Sequence, residues 1–284
     1  MSMGINVVSW GGGTNSTAMI IGLHRQNIPI DLILFSDTGG EHPHTYEFIG
    51  VFNHWLAARG LPDITRLEYF DRNKNRLTLE DECLRSKTLP AIAYGYKRCS
   101  LKHKISVADK FCNNNAMCRE IWKYGGKVDK YIGYDAGERR RVERAALIDA
   151  AYKKYAKHYP LMEWGWTREK CIEIIESEGL PQPGKSSCFF CPSMKKSEIQ
   201  ALYLNHPDLF RRSVALERNA APNLITVKGL GRRWSWEQYI NDWLVAQEHE
   251  NRQITLDDYV GSLAVRPAGA ATDSRLPLLN REDR

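Results

Sequence analysis

The feature that most restricts the fold is a short apolar run followed by consecutive glycines. Asn6 to Ser9 has the composition of a buried strand, Gly11 to Gly13 come one residue later, and Thr14 to Leu23 carries apolar residues at helical spacing. Glycines at such a turn adopt positive φ angles and let a ligand approach the backbone, while the free N–H groups of the new helix attract an anion. A turn that needs glycine only for its geometry is the alternative. Hydroxyl groups on both sides of the glycines favour a phosphate site.

Further strands and helices alternate along the chain, which predicts a parallel sheet. The apolar run from Pro29 to Ser36 follows the first helix, so the two strands form a βαβ unit with parallel pairing. The pattern predicts other strands at Ile64 to Phe70 and Val128 to Tyr134. It predicts helices at Glu41 to Arg59, Thr78 to Lys87, Thr167 to Gly179, Lys195 to Asn205, Pro207 to Asn219 and Trp234 to Gln247. We therefore expect an α/β fold, a twisted parallel sheet flanked by helices.

The glycine segment differs from two familiar phosphate loops and resembles a third. It has no lysine, unlike the Walker pattern, and its glycines are consecutive, unlike the dinucleotide fingerprint. It resembles the PP-loop of the adenine nucleotide alpha-hydrolase superfamily, S-G-G-x-D-S, with Asn15 in place of the aspartate and one residue inserted after Ser9. The segment Asp37 to Tyr46, expected at the carboxyl end of the second strand, resembles the D-T-G-x-x-x-P-x-T-Y segment of phosphoadenosine phosphosulfate (PAPS) reductases.

This resemblance covers about residues 5–220 and implies a nucleotide-binding enzyme. The implied fold is of the PP-loop, HUP-like Rossmann type, with ATP and magnesium as cofactors. The residues that the resemblance assigns to ATP and its phosphates are Ser9, Gly11, Gly12, Gly13, Thr14, Asn15, Ser16, Asp37, Thr38 and Gly39. Two basic clusters account for much of the net charge of +6. From these clusters we expect four cations to bind substrate anions, namely Lys102, Lys104, Arg139 and Arg140.

The seven cysteines favour metal or redox use over a disulfide framework. Cys188 and Cys191 form a Cys-x-x-Cys pair that places two thiolates within reach of one metal ion or cluster. The iron-sulfur branch of the sulfonucleotide reductases has a similar order of cysteine sites, which implies that Cys99 joins this pair to hold a 4Fe-4S cluster. Zinc in a structural knuckle is the alternative. The fourth ligand is left open. Either one iron has no protein ligand, or the ligand is a further residue, Cys112, Cys118 or His103.

The predicted organisation is a PP-loop nucleotide-binding α/β domain at residues 1–160, a helical region with the Cys-x-x-Cys pair at 161–250, and a disordered tail at 266–284. With no apolar run of membrane length and no signal-peptide pattern, we expect a cytoplasmic protein without a membrane partner.

The implied function is an enzyme that cleaves ATP between the α and β phosphates and transfers sulfur to a nucleotide or nucleic-acid acceptor, tRNA or DNA, with a sulfur-donor protein as partner. One alternative is a sulfonucleotide reductase, although no cysteine follows Cys191, whereas PAPS reductase uses a nucleophilic cysteine near its C-terminus. The other is a non-catalytic nucleotide-binding module with structural zinc.

Overall fold

The computed structural model describes residues 4–264, and within them five parallel strands form one sheet in the order β3-β2-β1-β4-β5. The predicted α/β fold with a parallel sheet is thereby confirmed. The predicted disordered tail at 266–284 lies outside the described residues. The strands are β1 (Asn6–Ser9), β2 (Leu32–Asp37), β3 (Ile64–Glu68), β4 (Val128–Ile132) and β5 (Tyr155–His158).

Helices connect the strands and extend beyond the sheet. A π-helical turn, Leu101–Ile105, joins α4 to α5 and puts polar side chains on several faces of one short segment. The helices are α1 (Thr14–Arg25), α2 (Pro43–Ala57), α3 (Leu79–Ser86), α4 (Arg98–Ser100), α5 (Ser106–Asn114), α6 (Ala116–Lys123), α7 (Arg139–Ala150), α8 (Pro160–Glu163), α9 (Arg168–Ser177), α10 (Lys196–Asn205), α11 (Pro207–Ala220) and α12 (Trp236–Ala264).

The first βαβ unit forms the centre of the molecule. Strand β1 pairs with β2 on one side and with β4 on the other, so the glycine turn after Ser9 lies where the strand order reverses. Nine of the twelve residues of α1 are buried, including the continuous run from Ser16 to Leu23. In open parallel sheets, ligands bind at the carboxyl ends of strands at such a reversal. The topology therefore points to the glycine turn.

The two faces of the sheet pack against different layers. On β1, Val8 faces a cluster formed with α1, α2 and α9 that includes Phe35 and Phe52. Because side chains alternate along a strand, Val7 points the opposite way, into a cluster with Val107 of α5. We refer to this second side as the α5 face of the sheet.

Strand β5 was not predicted from the sequence. Its residues, Tyr155–His158, alternate aromatic, small and charged side chains rather than forming an apolar run. In the described sheet it pairs only with β4 and is therefore an edge strand. No strand covers its outer side, so its residues need not form a continuous apolar run.

Within residues 4–264, no helix is long and apolar enough to cross a membrane.

By compactness the chain divides into two units, one ending at Glu237 and the other beginning at Gln238. The first unit contains the sheet and both cysteine segments. The domain boundary suggested near residue 160 stays a prediction.

One carboxylate ties the ends of three helices together, and we expect its removal to reduce stability. Glu178, just after α9, accepts hydrogen bonds from Arg25 (2.6 Å), Arg59 (2.7 Å) and the Trp55 indole (3.1 Å). We expect Glu178→Gln to lower the free energy of unfolding at pH 7 by about 2 kcal/mol. Glu173→Gln, at an exposed ion pair on the same helix, should change it by less than about 0.5 kcal/mol.

The difference between wild type and Glu178→Gln should depend on pH. Partial burial by itself raises the pKa of Glu178, but hydrogen bonds from Arg25 and Trp55 outweigh it and hold the pKa below the ordinary value of 4.5. The carboxylate therefore contributes fully above pH 4.5, and its contribution is lost as the pH falls through the folded-state pKa. Urea denaturation across this range measures the effect. Equal stability of the two proteins at pH 7 would contradict the prediction.

Candidate functional site

The glycine loop between β1 and α1 is held in one conformation by its own residues. Gly12 has a φ of +78°, in the left-handed region that favours glycine. The Ser16 hydroxyl accepts a hydrogen bond from the Gly11 N–H (3.1 Å) and donates one to the Gly13 carbonyl (3.2 Å). Thr45 and Phe35 lie beneath Gly12, within 2.6 Å and 3.6 Å of the position that a Cβ would occupy. The loop therefore has no space for a side chain on that side.

A cavity of about 340 Å³ lies above this loop. Gly133, just after β4, forms part of its wall, and a Cβ there would lie 3.0 Å from the Ser16 nitrogen. Gly12 faces Thr45 instead of the cavity. The loop residues that line the cavity are Ser9, Gly11, Gly13, Thr14, Asn15 and Ser16. We call this space the glycine-loop cavity.

Three cations line the glycine-loop cavity, and they come from separate parts of the chain. Arg141 lies over the Tyr134 ring at 4.1 Å. Arg168 begins α9, is exposed, and lies 3.5 Å from the Thr14 hydroxyl. Lys185 is paired with a carboxylate of α10 at 2.7 Å. Arg141 is paired at 2.7 Å with Glu138, which also lines the cavity. Three cations and the helix N-terminus against this one carboxylate leave the wall with a net positive charge.

The sequence predicted Arg139 and Arg140, which directly precede Arg141, as anion-binding residues. The structure places both of them outside this cavity. Arg139 is exposed and pairs with Glu143. Both arginines line a neighbouring open groove along the start of α7, which shares Glu138 and Arg141 with the glycine-loop cavity. Successive helical residues point about 100° apart, so Arg141 is the arginine of this run that turns toward the loop. Arg168 carried a usable signal that was missed, because it too is a basic residue at the first position of a helix.

The segment before the cysteine pair, residues 184–187, packs directly on the glycine loop. The Ser186 hydroxyl donates a hydrogen bond to the Gly11 carbonyl. A Cβ on Gly13 would lie 3.3 Å from the Ser186 Cβ. Gly184, Lys185 and Ser186 all contribute to the cavity wall. This segment therefore connects the glycine loop to the Cys-x-x-Cys pair only two residues further on.

The Asp37-Thr38-Gly39 segment, which was predicted to bind phosphate, makes contacts with protein groups. Asp37 is buried and accepts hydrogen bonds from the Gly39 N–H (2.7 Å), the Tyr46 hydroxyl (2.9 Å) and Arg66 (2.8 Å). Thr38 lies 3.0 Å from the Cys188 sulfur. The segment therefore supports the cysteine pair and is not part of the glycine-loop cavity wall.

Lys102 and Lys104 also lie away from the glycine-loop cavity. Lys102 pairs with Glu82 at 2.8 Å, beside a separate cavity of about 710 Å³ that Cys83 and Cys99 share. Lys104 pairs with the buried Glu41 at 3.1 Å. Both ammonium groups therefore contact carboxylates of other segments and do not line the glycine-loop cavity.

The three predicted metal ligands lie in one region of the fold. The N–H of Cys191 donates to the Cys188 carbonyl (3.0 Å), so the pair forms a single turn. Burial raises the pKa of the Cys191 thiol, and the nearby Cys99 raises it further. Burial, with the nearby charges of Glu82 and Cys99, raises the pKa of Cys83 to about 12. Cys99 therefore shares a cavity wall with Cys83 and is close enough to Cys191 for their charges to interact.

These side chains do not form a ready metal site. Within residues 4–264, no three His, Cys, Asp or Glu side chains are grouped as a metal ion requires. Cys188 is buried, and its sulfur lies 3.0 Å from the Thr38 hydroxyl. We therefore assign no reaction step to a 4Fe-4S cluster or to zinc, and both stay predictions.

The residues suggested as a fourth ligand lie elsewhere. Cys112 and Cys118 are fully buried on the α5 face of the sheet, near Val128 and Tyr155. His103 is buried in the π-helical turn, and its Nε2 lies 2.6 Å from Glu82. None of these three residues therefore supplies a further ligand at the cysteine turn.

Comparison with known proteins finds similarity among solved structures only. No family model matches the sequence, and no curated protein sequence matches it. Among solved structures, the chain is similar to U34-tRNA thiolase NcsA from Methanococcus maripaludis, solved with its 4Fe-4S cluster. The identity is 16%, the TM-score is 0.40, and the similarity covers 75% of this chain and 72% of that one.

Proposed function

We propose that this protein is a PAPS reductase-like PP-loop enzyme that binds ATP and cleaves it between the α and β phosphates. The observation that carries the proposal is the glycine-loop cavity, where the N-terminus of α1 meets Arg141, Arg168 and Lys185. A helix N-terminus with glycines that expose the backbone is suited to a polyphosphate, and cations from separate segments suit its high charge. The triphosphate would enter with magnesium as part of the substrate.

The same groups supply the chemistry that cleavage requires. Negative charge accumulates on pyrophosphate as it leaves the α phosphate of ATP. Backbone N–H groups and arginines that are already in position stabilise such charge without rearranging. Lys185 lies on the wall of the same cavity, in the segment that packs on the loop, and would neutralise part of this charge. The α phosphate would then be transferred, as AMP, to an oxygen of the acceptor.

The proposal extends to sulfur transfer to the activated acceptor, a nucleobase of tRNA or DNA. Its support is the position of the cysteine turn, which begins two residues after the Ser186 contact with the glycine loop and touches Thr38 at the end of β2. Thiol groups therefore lie beside the strand ends where the nucleotide would bind. A sulfur-donor protein would supply sulfur at the sulfide level, which would attack the adenylated carbon of the base and displace AMP together with the former carbonyl oxygen.

The products of ATP cleavage test the first part of the proposal. With magnesium and unfractionated tRNA, we expect the protein to release pyrophosphate and AMP. Ion-exchange chromatography of radiolabelled ATP separates these products from ADP and phosphate. Formation of ADP and phosphate would show cleavage at the other bond and would contradict the proposal.

A cysteine variant tests the second part. Cys191 is half-buried at the cysteine turn, so Cys191→Ser should remove sulfur transfer while ATP cleavage stays within about twofold of wild type. Cys171→Ala, in the core of α9, should retain both activities. Mass spectrometry of nucleosides from tRNA, treated with ATP and inorganic sulfide, measures the product. Unchanged thiolation by Cys191→Ser would remove the cysteine turn from the mechanism.

A further inference from the structure

A cavity of about 710 Å³ lies between α3 and the segment from Thr88 to His103, and we call it the α3 cavity. Among the described residues, none lines both this cavity and the glycine-loop cavity. Cys99 lies on its wall and is close enough to Cys191 for their charges to interact. The α3 cavity is therefore separate from the phosphate site but lies beside the cysteine turn.

Positive charge exceeds negative charge on the wall of the α3 cavity. Lys97 and Arg98 are exposed on this wall, and neither forms an ion pair with any described residue. Lys102 pairs with Glu82 at 2.8 Å. Hydrogen bonds from His103 and Lys102 outweigh the effect of burial and lower the pKa of Glu82 to about 2, so this carboxylate is ionised and already has its partners. Two unpaired cations therefore remain for an anion.

Aromatic and apolar side chains lie exposed beside these cations. Tyr96 is 70% exposed and Leu101 is 56% exposed, and both line the α3 cavity. Tyr94 also lines it, and its ring is restrained because its hydroxyl accepts a hydrogen bond from the Leu89 N–H (3.2 Å). Proteins that bind single-stranded nucleic acid combine such groups, since bases stack on the rings and phosphates pair with the cations.

One buried nitrogen on the wall of the α3 cavity lacks a partner. The His103 side chain is 1% exposed, and its Nε2 lies 2.6 Å from the Glu82 carboxylate. Nε2 therefore carries the proton of the neutral ring, which makes Nδ1 an acceptor. Nδ1 has no hydrogen-bond partner among the described residues. Because buried polar atoms without partners are rare, this atom points to a donor on a ligand, such as the amino group of a base.

We propose that the α3 cavity binds one nucleotide of the acceptor strand, next to the base that is modified. Its base stacks on Tyr96 and donates a hydrogen bond to His103 Nδ1. Its phosphates pair with Lys97 and Arg98, whose exposure lets the strand continue beyond the cavity. This inference rests on the proposed function, since it takes a nucleic acid as the acceptor. The volume lies within the usual range of ligand pockets, roughly 300–1,000 Å³.

Tyr96→Ala tests the stacking contact. Fluorescence anisotropy with labelled single strands of DNA and RNA, each of about ten nucleotides, measures binding of a strand. Competition by the four nucleoside monophosphates measures binding of a free nucleotide. We expect Tyr96→Ala to bind at least one of the two strands about 10-fold more weakly than wild type does. Tyr124 is 72% exposed and does not line the α3 cavity, so Tyr124→Ala is the matched control and should bind as wild type does.

Arg98→Gln tests the phosphate contact. We expect it to weaken binding of the same strand and to reduce the slope of log affinity against log salt concentration by about 0.7, because one contact with a phosphate is lost. Arg85, an exposed arginine of α3 that does not line the cavity, supplies the control variant Arg85→Gln, which should keep the wild-type slope. Calorimetric titration with ATP should give the wild-type affinity for all four variants.

The outcomes separate this proposal from the proposed function. Wild-type affinity of Tyr96→Ala for both strands would overturn the nucleotide site, and so would a wild type that binds neither strand. A monophosphate that binds as tightly as a strand, with the same loss in Tyr96→Ala, would overturn the strand and assign the cavity to a free nucleotide. Strand binding that depends on Tyr96, in a protein that releases no AMP from ATP, would overturn the proposed function alone.

Discussion

Replacing Gly12 with alanine is expected to weaken ATP binding by at least about 100-fold, the largest effect of any single change in the glycine loop. The φ of +78° at this position disfavours any residue with a Cβ. In addition, the new Cβ would lie 2.6 Å from the Thr45 Cγ2, a distance that requires something to move. Thr45 is fully buried on α2, so the loop must move instead. The backbone N–H groups would then lose their alignment toward the phosphates.

A second variant separates the clash of the new Cβ with Thr45 from the backbone strain of the positive φ angle. Thr45→Ser removes the methyl group that the new Cβ would contact, so Gly12→Ala with Thr45→Ser should recover part of the affinity. Gly50→Ala is the control: nothing lies within 4 Å of its Cβ position on α2, and binding should be unchanged. Its stability should rise by about 0.5–1 kcal/mol. Calorimetric titration and thermal denaturation measure both quantities. Wild-type affinity in Gly12→Ala would contradict the assignment of the loop.

Removing the charge of Arg168 is expected to weaken ATP binding by about 10- to 100-fold without loss of stability. Arg168 lies on the wall of the glycine-loop cavity, and among the described residues it forms no ion pair. Its nearest polar contact in the loop is the Thr14 hydroxyl at 3.5 Å. An exposed guanidinium without a carboxylate partner contributes little to folding and is free to bind a phosphate.

Lys170→Gln is the matched control for Arg168→Gln. Both residues are exposed cations in the first turn of α9, but Lys170 pairs with Glu173 and is absent from the cavity wall. We expect Lys170→Gln to bind ATP as wild type does. Arg168→Gln should also reduce the salt dependence of binding, measured between low and physiological ionic strength, because one phosphate contact is lost. Equal losses in both variants would show a general charge effect and no specific contact.

The glycine loop was predictable because its signals are local. A β-strand, consecutive glycines and a helix with nine buried residues follow one another within twenty residues, and each restricts the backbone of the next. The helix predicted from Thr78 was likewise confirmed, and its start is fixed by a capping box between Thr78 and Asp81, residues only three apart. Strand β5 was missed because an edge strand with a charged, alternating pattern carries no apolar signal.

The identity of the groups around the loop was less predictable. Arg139, Arg140 and Arg141 are adjacent in sequence, and only the helical phase of α7 decides which of them faces the cavity. Lys104 looked like a phosphate ligand, but the buried Glu41 of another segment pairs with it.

The sequence by itself therefore determined the α/β class, the position of the glycine loop and the order of the central strands in the chain. The tertiary structure alone decided that Arg141, Arg168 and Lys185 converge on the loop, and that Cys99 lies beside the cysteine turn. The physical reason is the range of the interactions. Backbone conformation depends on residues a few positions apart, whereas a binding site depends on side chains that the folded sheet brings together from distant segments.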